Sequence, residues 1–198
     1  GREDTGYVVR GEYTTPSGTL LFADNDGVLG NRIMGASQNT VDQMVSYYNA
    51  QHKAYPSEAL GKGGAPDIRT FCAIICEEAA AEGVRAEIVF TQAMLETGWL
   101  QFGGDVKIEQ FNFAGIGATG GGVPGNSFPD VRTGIRAQVQ HLKAYASTEP
   151  LNNACVDPRF HYVKRGSAPT MEQLAGKWAA STGYGESLRT ILSGLSKY

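Results

Sequence analysis

A mainly α fold (α+β overall) follows from three observations. Apolar residues recur at helical spacing along most of the chain beyond residue 40. Residues that start and stop helices stand at the ends of those runs. Short apolar stretches broken by turn residues are confined to the first 36 positions.

Taken in order, Tyr7-Val8-Val9-Arg10 and Gly18-Thr19-Leu20-Leu21-Phe22 read as short strands, with turns at Thr15-Pro16-Ser17-Gly18 and Asn25-Asp26-Gly27. Residues 1–36 are expected to form a small β appendage or linker, and residues 37–198 the main domain. Asp24-Asn25-Asp26-Gly27 begins like a calcium loop, but the twelfth position is Gly35 where that loop needs Glu, so a turn is expected.

Val41, Met44, Val45 and Tyr48 then follow the i, i+3, i+4, i+7 rule behind a Thr40…Gln43 capping box. Ile68, Phe71, Cys72, Ile75 and Ala79 do the same behind Pro66-Asp67, and Gly83 stops that helix. Ala86 to Thr97 forms the next, followed by a loop or hairpin lobe between residues 100 and 130. Ile135, Val139, Leu142 and Tyr145 predict another helix. Thr170…Gln173 is expected to open one that carries Leu174 and Trp178 as core residues, and Leu188, Ile191, Leu192 and Leu195 the last.

At 198 residues and 41% hydrophobic, the chain can bury a core, and no run approaches the ~20 apolar residues of a membrane span. A net charge of -3 argues against nucleic acid as a partner. Cys72 and Cys76 lie four apart on one helix, where mutual bridging is rare, and Cys155 is in a loop; buried thiols are expected. His52, His141 and His161 are scattered, so neither a metal nor another cofactor is expected. Gly115-Ile116-Gly117-Ala118-Thr119-Gly120 spells a dinucleotide-binding pattern, yet Gly121-Gly122-Val123-Pro124-Gly125 after it cannot open the helix that such a site requires.

Chemistry concentrates at Glu96. Its helical neighbours Ala93, Gln92 and Val89 are uncharged, and Trp99 lies three residues ahead. With Gly98 stopping the helix, Glu96 falls in the last turn, where the negative end of the dipole and apolar surroundings both raise a carboxyl pKa. That is the environment of a general acid. Aromatic and Gly-rich segments follow at Trp99 to Asp105 and at Phe111 to Gly117, which suits a sugar, with its apolar faces and polar rim.

QAMLETGW followed by FNFAGIG resembles the glucosaminidase domain of bacterial cell-wall hydrolases, glycoside hydrolase family 73. That family carries Gln-Ala-x-x-Glu-Ser/Thr-Gly-Trp and then Asn-x-Phe-Gly-Ile-Lys. FGGDVKIEQFNFAGIGATGGG, SFPDVRTGIRAQVQHLKAYAS and DPRFHYVKRGSAPT are similar to its clostridial-type branch, and the resemblance covers about residues 37 to 195. It implies a lysozyme-like fold and hydrolysis of the β-1,4 bond after N-acetylglucosamine in peptidoglycan. It also implies Glu96 as the acid, Asn112, Gly115 and Ile116 as cleft lining, and Tyr184 as a cleft tyrosine. Ala114 and Gly117 depart from the family pattern, which has an aromatic and a Lys at those positions.

Glycines beside Tyr184 favour an exposed phenol that could bond the sugar or orient water. Gln92, Trp99, Phe102 and Phe113 complete the substrate-binding candidates. For the second catalytic role the candidates are Asp105, Glu109 and Asp130, with Asp130 better placed as a helix N-cap, or else the substrate's own 2-acetamido group. A lytic transglycosylase or a non-catalytic glycan-binding module would share much of this pattern. The expected partner is the glycan strand of peptidoglycan, with the protein a monomer, not inserted in a membrane. No export signal is visible and Gly1 does not read as a native start, so a longer multidomain parent is expected, and the resemblance implies a secreted or wall-located one.

Overall fold

Helix α4, Ala86–Thr97, is the axis of the structure, and every residue from Ala86 to Met94 is buried. A helix apolar all round belongs inside a protein, and this one is enclosed by its neighbours. The computed structural model describes residues 11–16, 20–23 and 29–198. Around α4 stand α1 (Val41–Ala50), α2 (Ser57–Lys62), α3 (Ile68–Glu82), α5 (Val131–Ala146) and α6 (Tyr184–Gly194). The fold is thus mainly helical, in keeping with a lysozyme-like domain.

Local signals are realised closely in the first half. Thr40 and Gln43 form the reciprocal capping box of α1, and Asp67 caps α3 by accepting from the Thr70 N–H at 2.7 Å. Gly83 ends α3 in the left-handed conformation, and Asp130 caps α5 through the Thr133 N–H at 2.7 Å. Such caps contribute about 1 kcal/mol each. The short helix α2 was not foreseen: six residues behind Pro56 show too little periodicity to read.

Two expectations in the C-terminal part are corrected. The Thr170…Gln173 box opens only a 3-10 turn, Met171–Leu174, because Ala175 is extended and Gly176 left-handed. Trp178 therefore lies in a turn, half-buried. The last helix begins at Tyr184, so this residue is not in a loop.

In the N-terminal part, β1 (Gly11–Thr14), β2 (Leu20–Ala23) and β3 (Leu29–Gly30) form an antiparallel sheet in that order. The strand expected at Tyr7–Arg10 and the turn at Asp24–Gly27 lie outside the described residues. Residues 31–34, grouped with this segment on sequence grounds, are woven into the helical body. The Ile33 N–H donates to Pro169 O at 3.0 Å, Ile33 O accepts from the Arg85 N–H at 2.9 Å, and the Ile33 side chain is fully buried.

Buried charges tie the layers together. Arg85 and Glu87, at the first turn of α4, pair at 2.8 Å; Glu87 also accepts from the Gln38 N–H, and Arg85 donates to Arg32 O. Glu78 of α3 accepts from Arg132 and Arg136 of α5, and Glu82 from Lys143 and the Asn152 N–H. The three cysteines are free, and Cys155 is exposed, contrary to the expectation of a buried thiol.

α5 crosses the backbone of the site loop at Gly134, where an added Cβ would stand 1.8 Å from Phe111 O. Gly134→Ala is expected to destabilise the protein by about 1–3 kcal/mol, read as a lower denaturant midpoint at unchanged slope. An unchanged midpoint would show that loop and helix separate freely there.

Candidate active site

Glu96 sits where α4 runs out. Gly98 takes the left-handed conformation that ends the helix, and Trp99, Leu100 and Phe102 after it are left-handed too, at φ of +60°, +64° and +60°. Side chains rarely adopt this region, so the turn must be held by its contacts. The Trp99 ring packs edge-on against Tyr47 at 4.9 Å and Phe90 at 6.1 Å, Leu100 is buried, and the Phe102 N–H donates to Thr97 O at 2.7 Å. The turn folds the following loop back over the Glu96 carboxyl.

The result is a cleft of about 240 Å³ lined by Glu96, Phe102, Asp105, Val106, Asn112 and Gly115, among others. Glu96 is open to solvent through its mouth, yet enough protein surrounds the carboxyl that loss of hydration raises its pKa. A hydrogen bond from the Tyr184 hydroxyl to Oε1, at 2.7 Å, opposes that rise without cancelling it. Gly115 stands against the other oxygen: a Cβ there would lie 3.3 Å from Oε2. Only glycine leaves that oxygen uncrowded.

Tyr184 is buried, 7% exposed, and corrects the expectation of an exposed phenol: the first turn of α6 carries it inward to α4. Burial and the neighbouring carboxylate push its own pKa well above the usual phenol value, so it acts as a hydroxyl donor. Its oxygen accepts from Gln92 Nε2 at 3.0 Å. Gln92 has no exposed surface and cannot touch a substrate.

Several other candidates have structural posts. Phe113 is fully buried between Phe71 and Phe102, and Trp99 belongs to the aromatic cluster under the turn, so neither lines the cleft. Ile116 is buried and meets the site through its backbone. Asn112 lines the cleft but is saturated: it donates to Ile116 O and Asn126 O and accepts from the Ala114 and Ile116 N–H groups. Its side chain shapes the loop. Phe102 remains the cleft aromatic.

Among the carboxylate candidates, Asp105 shares the cleft with Glu96 and accepts from the Gly122 N–H at 3.2 Å. Asp130 is the N-cap of α5 and Glu109 lies on the 3-10 turn Ile108–Gln110; neither lines the cleft.

Two supports of the site escaped the sequence reading, which gave Trp178 only as a core residue. Trp178 braces the loop by donating Nε1–H to Ala114 O at 3.0 Å, its ring edge-on to His141, which in turn pairs with buried Asp157 at 2.7 Å. Gln138 donates to Gln92 Oε1 at 3.0 Å from the apolar face of α5. Its signal was present: it stands three residues after Ile135 and four before Leu142, a polar group in an apolar stripe.

Residues 72–197 match the family described as Glucosaminidase, mannosyl-glycoprotein endo-beta-N-acetylglucosaminidase. The chain belongs to the glucosaminidase family. The matched region runs from α3 through α6 and holds Glu96, Asp105, Gln138 and Tyr184 within it. An uncharacterized protein of Borreliella burgdorferi is 47% identical over 131 residues, covering 66% of this chain and 64% of that protein. The chain therefore spans less than two-thirds of the length of that relative. No solved structure matches. Membership of the family supports glycoside hydrolysis as the class of reaction.

The raised pKa of Glu96 has a consequence for stability. As pH rises, the unfolded chain loses this proton first, so ionisation favours unfolding. Glu96→Gln is expected to raise Tm near neutral pH and to leave it nearly unchanged below about pH 4. Equal effects at both pH values would mean that the carboxyl is not desolvated.

Proposed function

We propose that this protein is a peptidoglycan hydrolase that cleaves the β-1,4 bond after N-acetylglucosamine, with Glu96 as general acid. The observation that carries the reading is one solvent-reachable carboxyl whose pKa is raised by burial, set in a cleft with an aromatic wall at Phe102 and bonded by Tyr184. Departure of a glycosidic oxygen needs a proton, and a raised pKa lets this carboxyl hold one to higher pH than an exposed Glu does. As the bond breaks, Glu96 becomes an anion, and the Tyr184 hydroxyl stabilises it. The positive charge developing at the anomeric carbon falls to Asp105, the other carboxylate of the cleft, or to the 2-acetamido group of the sugar. With glycan strands as substrate, the expected location is outside the cell, in the wall.

Digestion of purified peptidoglycan by the wild type and by Glu96→Gln, followed by borohydride reduction and mass spectrometry, tests this. Reduced N-acetylglucosamine ends from the wild type alone are expected. Anhydromuramic ends would make it a transglycosylase, and glycan binding without products would make it a binding module. Products from a mannosyl glycoprotein but not from peptidoglycan would move the substrate. Asp105→Asn loses as much rate as Glu96→Gln if Asp105 is the second group, and little if the acetamido group serves.

Activity is expected to fall as pH rises through the pKa of Glu96, because the acid must hold its proton. Tyr184→Phe removes the bond that lowers this pKa, so the basic limb of the pH profile moves to higher pH while kcat drops. A limb that stays in place would detach it from Glu96.

A further inference from the structure

Four side chains connect α5, α4 and α6 in one hydrogen-bonded series, and its direction is set at the end remote from the cleft. Val89 O can only accept, and Gln138 Nε2 meets it at 3.1 Å. The same amide nitrogen donates its second proton to Gln92 Oε1 at 3.0 Å. Gln92 must then present its own NH2 to Tyr184, whose oxygen accepts at 3.0 Å. With its oxygen so used, the Tyr184 hydroxyl points its proton at Glu96 Oε1, 2.7 Å away.

Gln138 keeps this orientation at a cost. Its Oε1 is buried and has no hydrogen-bond partner among the described residues. A buried amide left half-satisfied calls for an explanation. The demand for two donors on one nitrogen supplies it.

The direction decides where the acid keeps its proton. Oε1 receives a hydrogen bond from Tyr184 whether or not Glu96 is ionised, so in the neutral acid the hydroxyl is on Oε2. Oε2 is the oxygen beside Gly115, which lines the cleft. In the reversed direction Gln92 would offer Oε1 to the phenol, Tyr184 would donate away from Glu96, and the acid would place its proton on Oε1 toward the phenol, withdrawn from substrate. We propose that Gln138 is a positioning residue which, through Gln92 and Tyr184, fixes the transferable proton of Glu96 on its cleft-facing oxygen. This rests on Glu96 acting as the acid.

The test is Gln138→Met, which keeps the volume and removes the donors. With Gln92 released to turn over, Tyr184 no longer has to donate to Glu96. The titration of the Glu96 side-chain carboxyl carbon, followed by NMR, is expected to move to higher pH, and kcat on peptidoglycan to fall about tenfold with KM little changed, a partial loss of a general-acid contribution of at least about a hundredfold. In a Tyr184→Phe background the same substitution is expected to change neither quantity further. Gln138→Leu, which likewise removes the donors and leaves Gln92 free to turn over, is expected to reproduce the shift, and decides the matter where Gln138→Met does not fold. A lower Tm with Glu96 titration and kcat unmoved would overturn the proposal, as would an equal effect in the Tyr184→Phe background. Titration does not depend on turnover: a shift in Glu96 with no cleavage by the wild type would uphold the series and sink the hydrolase reading instead.

Discussion

A helix buried on every side from Ala86 to Met94 governs the rest of this structure. Along that stretch an unpaired buried polar group costs about 1–3 kcal/mol, and Glu87 and Gln92 are paired while Thr91 Oγ1 has no partner among the described residues. At its first turn Glu87 is answered by Arg85 and the Gln38 N–H, which pulls residues 31–38 onto the helix end. Mid-helix, Gln92 is answered from both sides, by Gln138 of α5 and Tyr184 of α6. At its last turn Glu96 meets Tyr184 on one oxygen and the cleft on the other. Fold and site are thus one set of constraints, read from the two ends of one helix.

The loop that closes the cleft is held by backbone more than by side chains reaching for a ligand. Asn112 spends both ends of its amide on the loop itself, and Trp178 adds a bond from the far side. Left-handed residues just after α4 are stabilised by an aromatic cluster that includes Tyr47, Phe90 and Trp99. Motif residues that look like sugar contacts in the sequence are here what fixes the shape into which a sugar would fit.

Much of this was legible beforehand. Periodicity, the Thr40…Gln43 box, Asp67, Gly83, Gly98 and Asp130 located most helix ends, because caps are local chemistry. Glu96 stood out as a lone acid among uncharged neighbours. What could not be read was partner choice across long separations. Tyr184 looked exposed because its flanking glycines speak of local freedom, while its burial is decided by α4, 88 positions away. The box at Thr170 promised a helix that Gly176 cut short. Gln92 and Phe113 lay in motifs that point to function, but motif spacing does not distinguish a group that touches substrate from one that holds its neighbour.

The span of 88 positions between Glu96 and Tyr184 also sets a schedule. At roughly 5–20 residues per second, a ribosome delivers the phenol on the order of ten seconds after the carboxyl. Until then the nascent chain carries the Glu96 carboxyl without its hydrogen-bond donor. A polypeptide interrupted between Gly117 and Tyr184 would hold the whole motif around Glu96 and still lack the hydroxyl bonded to its carboxyl. The Glu96–Tyr184 pair therefore forms late, with α6, after every other helix packed around α4 has been made.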